Sequence, residues 1–477
     1  MKRRSFLKQA SLAFAGTVLS AHSLSADTPA VDATFTAGDS KLASVPKDFT
    51  GVSIEAPQLY NPNYYSAKNK SLVEAFRALS SNGVLRSGGH LSDVARWKGP
   101  NGDFSTPKQD AGIALGKTYW EWKLTDPSVR DTRDGAITAE SIESLKTFLD
   151  ATNWRLIYGL NFGCGSIERA ADESSFVAKT MGDRLIAFQL GNEDDQLVRN
   201  SSFRAPGYNF DIYYQEYLSF VAGIRKAVPN ARFGGPDVAG NMDWIRRFAE
   251  KRDNAATFIS SHYYAMGPAK DPTKDAAFLL GSDDRLARQI TQIKEAIAAS
   301  NGVPYRMTEG NSCFGGGKPN VSDAYASALW GADYMLQCAS AGYAGVNLHG
   351  GGDGYYTSIA VGPNLSTELR PLYYGMQFAD DFAGADFFAS NLTSPANVRG
   401  YYARRGPETL VALINGGKDP INVKLSGVAD RRPPTTETRL SGPALDAKTG
   451  ITLSSSKPSP SLSQSVLPYS AVLLKWS

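Results

Sequence analysis

Two glutamates stand where short apolar, β-rich runs end: Glu193 follows the run Leu185 to Gly191, and Glu309 ends the run Pro304 to Glu309. A pair of carboxyls facing one another can break a glycosidic bond, one protonating the leaving oxygen and the other attacking the sugar. When they stand about 5–5.5 Å apart, configuration is retained. The two tasks need surroundings that push the two pKa values apart. Asn192, next to Glu193, carries an amide suited to a sugar 2-hydroxyl, a bond that strengthens as charge develops. Tyr264 or Tyr263 offers a phenol that could keep Glu309 ionised. Each residue also has a plainer reading: Glu193-Asp194-Asp195 as a solvated acidic turn or cation site, Glu309 as a helix cap before Gly310-Asn311-Ser312. The joint placement of the two glutamates favours chemistry.

That placement depends on the elements around them. Eight short runs alternate with longer segments of helical period: Gly51 to Glu55, Val84 to Arg86, Arg155 to Asn161, Leu185 to Gly191, Arg232 to Pro236, Phe258 to Tyr264, Pro304 to Glu309 and Gly345 to His349. Tyr214, Tyr217, Leu218, Val221 and Ile224 follow the i, i+3, i+4, i+7 rule of an amphipathic helix. Apolar strands separated by helices imply a parallel sheet covered on both faces. Eight such units suit an α/β fold, a (β/α)8 TIM barrel. Beyond about residue 385, strand-like runs such as Thr409 to Ile414 and Ala471 to Trp476 alternate with Pro, Gly and Ser turns, the pattern of a C-terminal antiparallel β-sandwich domain. The chain divides into a leader (1–26), a segment joining the sandwich (27–47, with Asp32 to Ala43 as an edge strand), a barrel (48–380) and the sandwich (381–477). Ser454 to Ser465 reads as a surface loop.

Functional side chains of such a barrel sit at the C-terminal strand ends. Those ends carry Glu55, Arg86 to His90, Asn161, Asn192-Glu193, Asp237, His262 to Tyr264, Glu309, and His349 with Tyr355 and Tyr356 beyond. Every histidine after His22 is among them. Arg86 also reads as a buried partner of an acid such as Glu55, Glu55 as a cap on the following loop, and His262 to Tyr264 as barrel core. No H-x-E or H-x-x-x-H spacing supports a metal site on His90, His262 and His349, so neither a metal nor a cofactor is expected.

The opening residues read as an address. Met1 to Lys8 holds Arg3-Arg4 before Ser-Phe-Leu-Lys, an apolar run reaches Leu19, and Ser23-Leu24-Ser25-Ala26 supplies a small-residue cleavage site. This fits a twin-arginine export signal, with an ordinary secretory signal as the alternative, and predicts a periplasmic or secreted protein. The apolar run is too short for a membrane span of about 20 residues. Loss of Lys2, Arg3, Arg4 and Lys8 lowers the formal charge from +3 to about −1. With no basic run, nothing attracts nucleic acid or a strongly sulfated polymer; the expected partner is a carbohydrate and the expected state a monomer. Cys164, Cys313 and Cys338 are too few for a disulfide scaffold. Whether Cys164 and Cys313 pair or stay free is open at this point.

Several blocks in order resemble glycoside hydrolase family 79, which holds heparanase and microbial β-glucuronidases. They are Phe49 to Glu55, Leu85 to Gly89, Leu156 to Asn161, Gln189 to Glu193, Gly235 to Val238, His262 to Tyr264, Glu309 with Gly315 to Gly317, and Leu467 to Ser470. The resemblance implies Glu193 as acid/base and Glu309 as nucleophile of a retaining double displacement. It implies Glu55, Asn161 and Asn192 at the −1 sugar. Phe314, Gly315, Gly316 and Tyr355 or Tyr356 fall where the family grips a uronic-acid carboxylate, with backbone N–H groups and a phenol doing the work. Two departures matter. Phe314 stands where a loop tyrosine is expected, so a hydroxyl is missing that His90 or a second tyrosine would have to replace. The basic clusters of a heparan sulfate binder are also absent, and Trp97 to Asp150 is short for an excised linker. The implied activity is an exo-acting β-glucuronidase on glucuronic or 4-O-methyl-glucuronic acid. A neutral-sugar β-glucosidase or β-xylosidase and a non-catalytic glycan-binding barrel are the alternatives.

Overall fold

The structure is a computed structural model that describes residues 30–104, 135–198, 203–428 and 432–477, apart from 252, 254 and 353. The leader expected over 1–26 lies outside the described residues. Strand β1 (Val31–Ser44) precedes the barrel strands β2 (Thr50–Glu55), β3 (Val84–Gly88), β4 (Arg155–Leu160), β5 (Leu185–Leu190), β6 (Phe233–Val238), β7 (Ala256–Tyr264), β8 (Tyr305–Asn311) and β9 (Gly345–Gly350). β2 to β9 pair in sequence order and close into a parallel barrel. The seam is β9 on β2, from Val346 opposite Thr50 to Gly350 opposite Ile54. Every residue of β2, β3, β6, β8 and β9 is buried, because side chains meet the barrel interior on one face and helices on the other. This is why the runs lack the alternation of a half-solvated strand.

The helices are laid on by their apolar stripes. Phe210–Ala227 buries Phe210, Tyr213, Tyr214, Tyr217, Phe220, Val221 and Ile224, each worth about 1.5–3 kcal/mol when fully removed from water. It starts at Asn209, whose side chain accepts from the N–H groups of Asp211 and Ile212 at 3.0 and 3.3 Å, satisfying donors that the first turn leaves open. Tyr325–Ser340 is buried almost all round, as a helix must be when it has structure on both sides. Its second neighbour is the C-terminal sheet: the Tyr325 hydroxyl donates to the carbonyls of Leu440 and Tyr469, and Asp333 accepts from Tyr401 at 2.5 Å and pairs with Arg399 at 3.3 Å.

That sheet contains β1 and β10 (Asp386–Thr393), β11 (Val398–Arg405), β12 (Glu408–Asn415), β13 (Ile421–Ser426), β14 (Thr436–Ser441), β15 (Thr452–Ser456), β16 (Ser463–Val466) and β17 (Ser470–Trp476). Its order is β15-β14-β17-β12-β11-β10-β1-β13-β16. Phe35, Tyr402, Val411, Leu413, Val423, Val466 and Leu474 come from strands spread across this order yet share one core. A single sheet therefore curls over itself to make the sandwich. Two expectations change. Residues 31–44 do not form an edge strand: β1 runs antiparallel to β10 on one side and parallel to β13 on the other. Nor is Ser454 to Ser465 one loop, since its ends belong to β15 and β16. Both are short edge strands with exposed serines, a composition an edge tolerates. All three cysteines are free thiols.

The two ends of the barrel are each plugged by a buried arginine. At the N-terminal end, Arg306 on β8 donates to Asn347 Oδ1 at 2.7 Å and to the carbonyls of Asp48, Phe49 and Ala344. Gly345 leaves room for it, as a Cβ there would come within 2.2 Å of the guanidinium. Arg86 plugs the other end, where the strand-end residues gather.

Candidate active site

Arg86 is completely buried and spends all five N–H donors. Nε donates to Gln189 Oε1 at 2.9 Å, Nη1 to Ser53 Oγ at 3.0 Å and Glu309 Oε2 at 2.8 Å, and Nη2 to Asn192 Oδ1 at 2.8 Å and Asp237 Oδ2 at 2.5 Å. It thereby joins β2, β5, β6 and β8. Gly88, two residues on, is required beside it: a Cβ there would lie 2.5 Å from the guanidinium carbon. The acids paired with Arg86 are therefore Asp237 and Glu309, in place of the Glu55 that the sequence suggests. Burial would raise the Asp237 carboxyl, but Arg86 and His262 outweigh it and hold Asp237 below the usual carboxylate range.

Glu193 reaches the site through a left-handed backbone turn. Gly191 has φ +79° and Glu193 φ 53°, a conformation that costs a non-glycine residue of order 1–3 kcal/mol and tends to mark functional sites. The turn is held by the Glu193 N–H donating to Asp237 O at 2.8 Å. Glu193 Oε1 lies 3.1 Å from His262 Nδ1, and Oε2 lies 2.9 Å from His90 Nε2. Burial alone would raise its pKa; His90 and His262 outweigh burial and hold it well below the usual range. Next door, burial pushes the Asp194 carboxyl well up, with Asp93 and Asp237 adding to the rise. The same burial and neighbouring acids weaken the tendency of Asp194 to carry charge beside Glu193.

Glu309 is gripped from three sides. Besides Arg86, the Tyr264 hydroxyl donates to Oε1 at 2.7 Å, and His349 Nδ1 lies 3.5 Å from Oε2. Burial opposes ionisation, yet His349, His262 and Arg86 prevail and set its pKa at about 2. His262, wholly buried between Glu193 and Asp237, loses by burial and gains more from Asp237 and Glu309, so that it titrates near about 10. Of the two tyrosines considered, Tyr264 makes the Glu309 contact; the hydroxyl of Tyr263 turns away to Asp283.

One oxygen of Glu193, one of Glu309 and a ring nitrogen of His262 lie within 4.8 Å of one another. The set has the donor types of a metal site. However, Arg86 and Tyr264 already occupy the Glu309 oxygens and two imidazoles those of Glu193. Two buried carboxylates this close, opening on a partly exposed histidine and exposed aromatics, can act on opposite sides of one small polar group. Asn192 Nδ2 is buried with no hydrogen-bond partner, a donor that must find one in a ligand or water.

The remaining sequence candidates divide. Tyr356 is buried, its ring 6.4 Å from that of Tyr264 and 5.8 Å from His349. Phe314 is 46% and Tyr355 42% exposed at the rim, and Phe314 packs edge-on to Tyr264. Gly315, Gly316 and Gly317 follow with φ of 77°, 89° and 90°, open to glycine at little cost. Glu55 takes the loop-cap alternative: Oε2 accepts from Leu91 N–H at 2.8 Å, while Oε1 lies 3.9 Å from His349. Asn161 is spent on loop structure, its Nδ2 donating to Ala95 O in the segment after β3 and its Oδ1 accepting from Cys164 N–H in its own loop. Asp237 and His349 stand at strand ends legible in the sequence, but their part in the network was not, and Gln189 and Ser53 carried no mark of it. The signal available for them was their position two residues or fewer from a strand end.

No protein-family model matches the chain. It is 28% identical over 351 residues to a β-glucuronidase of Aspergillus niger, covering 64% of this chain and 63% of that one. A β-glucuronidase of Neurospora crassa is 26% identical over 274 residues, with 51% and 48% covered. Mouse heparanase is 22% identical over 338 residues, with 63% and 61% covered. The chain thus spans less than two thirds of the length of each of these relatives. Among solved structures, a 4-O-α-L-rhamnosyl-β-D-glucuronidase from Fusarium oxysporum superposes with a TM-score of 0.71 at 17% identity, covering 93% of this chain and all of that one. An α-L-arabinofuranosidase from Thermotoga maritima gives 0.67 at 13% identity, with 93% and 99% covered. These likenesses establish the fold, a TIM barrel with an appended β-sandwich. In sequence, the chain resembles the β-glucuronidases and heparanases of glycoside hydrolase family 79.

Proposed function

We propose that the protein is a retaining glycoside hydrolase acting on β-glucuronides. The observation that carries this reading is the approach of a Glu193 oxygen to a Glu309 oxygen within 4.8 Å. An inverting enzyme needs roughly 6.5–9.5 Å between its carboxyls to admit a water, whereas a retaining pair stands about 5–5.5 Å apart. Glu309, ionised and backed by Arg86 and Tyr264, attacks the anomeric carbon; Glu193 protonates the departing oxygen, then deprotonates the water that releases the sugar. Asn192 Nδ2 donates to the 2-hydroxyl. The N–H groups of Gly315 and Gly316, with the phenols of Tyr355 and Tyr356, receive the uronic-acid carboxylate. Export through residues 1–26 and action as a monomer on an extracellular or periplasmic carbohydrate complete the reading.

A screen of aryl β-glucuronide, β-glucoside and β-xyloside, with the first product anomer read by NMR, tests it. The expected result is preference for the glucuronide with a β product, and loss of turnover by about 10³-fold or more in Glu309→Ala. Retained turnover in that variant, or an α product, sinks the mechanism. Phe314 favours a second reading, a neutral-sugar β-glycosidase, because it places a phenyl ring where a hydroxyl donor to a carboxylate is expected. Equal or better turnover of the glucoside or xyloside would establish that reading instead.

A further inference from the structure

The two oxygens of Glu193 face different worlds. Oε1 is held by His262, which is wholly buried, whereas Oε2 is held by His90, whose side chain is 21% exposed at the mouth. His90 opens the short helical turn His90–Val94, which follows Gly89 at φ +73°. The turn is pinned from beneath: Glu55 Oε2 accepts the Leu91 N–H, and a Cβ at position 89 would come within 2.4 Å of that carboxylate. His90 is thus delivered to Glu193 by the fold. Facing it are Glu193 and, from its own turn, Asp93, whose Oδ1 accepts from Gly163 N–H and whose charge interacts with His90. Beyond Glu193 stand His262, Glu309 and Asp237.

An acid catalyst must hold a proton when the glycosidic oxygen arrives, yet in the empty site Glu193 is surrounded by two imidazoles that favour its anion. The proton therefore has to be kept close by and handed over. His262 is poorly placed to give it, because its ring is wholly buried with Nε2 3.2 Å from Asp237 and Nδ1 4.0 Å from Glu309, a cluster that must stay charged for Glu309 to attack. His90 stands outside that cluster and touches the oxygen nearer the mouth, the side from which an aglycone approaches.

We propose that His90 is a positioning residue that stores the acid's proton, the His90–Glu193 pair sharing one proton that sits on the imidazole in the empty site and on the carboxyl when a glycoside is bound. This deepens, and rests on, the reading of the site as a glycosidase. When the sugar excludes water, the N–H bond at His90 Nε2 breaks and an O–H bond forms at Glu193 Oε2, leaving a neutral imidazole and a neutral carboxyl. Glu193 then gives that proton to the leaving oxygen as its bond to the anomeric carbon breaks and the Glu309 ester forms. In the second half, water attacks the anomeric carbon, the ester breaks and the water's proton goes to Glu193. On product release it returns to His90, so the pair ends with the one proton it began with.

The test uses His90→Ala and His90→Gln in the full-length protein, with thermal unfolding as the check that each is folded. Glucuronides of 4-nitrophenol, whose departure needs little protonation, are compared with those of a simple alcohol. The expected result is a fall in kcat/KM of about tenfold or more for the alcohol and at most about threefold for nitrophenol. The alkaline limb of the pH profile should also move down by about one pH unit, because the carboxyl then keeps the proton unaided. Equal losses on both leaving groups with an unmoved alkaline limb would overturn the proposal and leave His90 as an aglycone contact. NMR titration of the His90 ring in the wild type and in Glu193→Gln reads the pair without any substrate. A drop in the pH at which His90 titrates supports sharing, and no change refutes it. If the wild type cleaves neither glycoside, the glycosidase reading fails on its own account, while the titration still decides whether the pair shares a proton.

Discussion

The barrel buries an arginine at each end, and the two are solved differently. Arg306, at the N-terminal end, is met by neutral acceptors: one amide oxygen and three backbone carbonyls. Burial pushes its pKa down to about 10, with Asp48 pulling back. Arg86, at the C-terminal end, is met by two carboxylates in a cluster with three imidazoles nearby, and its pKa is raised although burial acts the other way. Both are flanked by a glycine whose Cβ would collide with the guanidinium. An arginine held by carbonyls closes a barrel and asks nothing of solvent. An arginine held by acids keeps those acids ionised inside a protein, which stability alone does not require, and it does so beneath an open mouth. The contrast matches the general division of such barrels, with chemistry at the C-terminal face and stability at the other.

Replacing each arginine should expose that division. Arg86→Met leaves Asp237 and Glu309 buried without their cation; the expected cost is about 3–5 kcal/mol of stability, together with at least about 10³-fold in kcat/KM on whichever glycoside the wild type cleaves. Urea unfolding and steady-state kinetics measure the two. Arg306→Met strands only neutral acceptors and should cost about 1–3 kcal/mol, with turnover within about twofold of wild type below its Tm. A loss of activity in Arg306→Met that exceeds its loss of folded protein would break the comparison. Next in size, Tyr264→Phe removes the hydroxyl on Glu309 Oε1 and nothing at the other end; about 10–100-fold in kcat is expected, with Tm nearly unchanged.

The smallest effect is on pH dependence. His262 is raised in the folded protein to about 10, so its stabilisation is fully present below its unfolded value of about 6.5 and lost as pH rises through about 10. Glu309, depressed to about 2, stabilises above its unfolded value of about 4.3 and ceases to do so as pH falls through about 2. The stability gap between wild type and His262→Gln should therefore be widest near pH 6 and narrow steadily toward pH 10. A gap that does not change with pH would mean that His262 is held neutral and only packs.

Much of the barrel was legible because parallel strands buried on both faces leave short apolar runs, and a run has an end that can be read. Glu193, Glu309 and Tyr264 lie at such ends, and the structure brings them together around Arg86. Asp237 was harder to read, since Gly235-Pro236-Asp237 has the composition of a turn and its role follows from pairing with an arginine 151 residues away. Asn161 and Glu55 show the converse: each sits at a strand end, but its polar atoms also serve the next loop, and nothing in the residue type separates those uses. In the C-terminal sheet, the place of β1 between two partners was not legible. Strand order depends on contacts hundreds of residues apart, whereas alternation along the chain reports only which face is buried.

The central claim is that Glu309 forms a covalent bond to the sugar. A 2-deoxy-2-fluoro-β-glucuronosyl fluoride slows release of a glycosyl ester, so incubation with the wild type followed by intact-mass and peptide mass spectrometry tests it directly. One added glycosyl group per chain is expected, on the peptide containing Glu309, absent from Glu309→Gln and accumulating still further in Glu193→Ala with the same activated fluoride. A label on another carboxylate, or hydrolysis of the fluoride to the α-sugar with no covalent species, would contradict it.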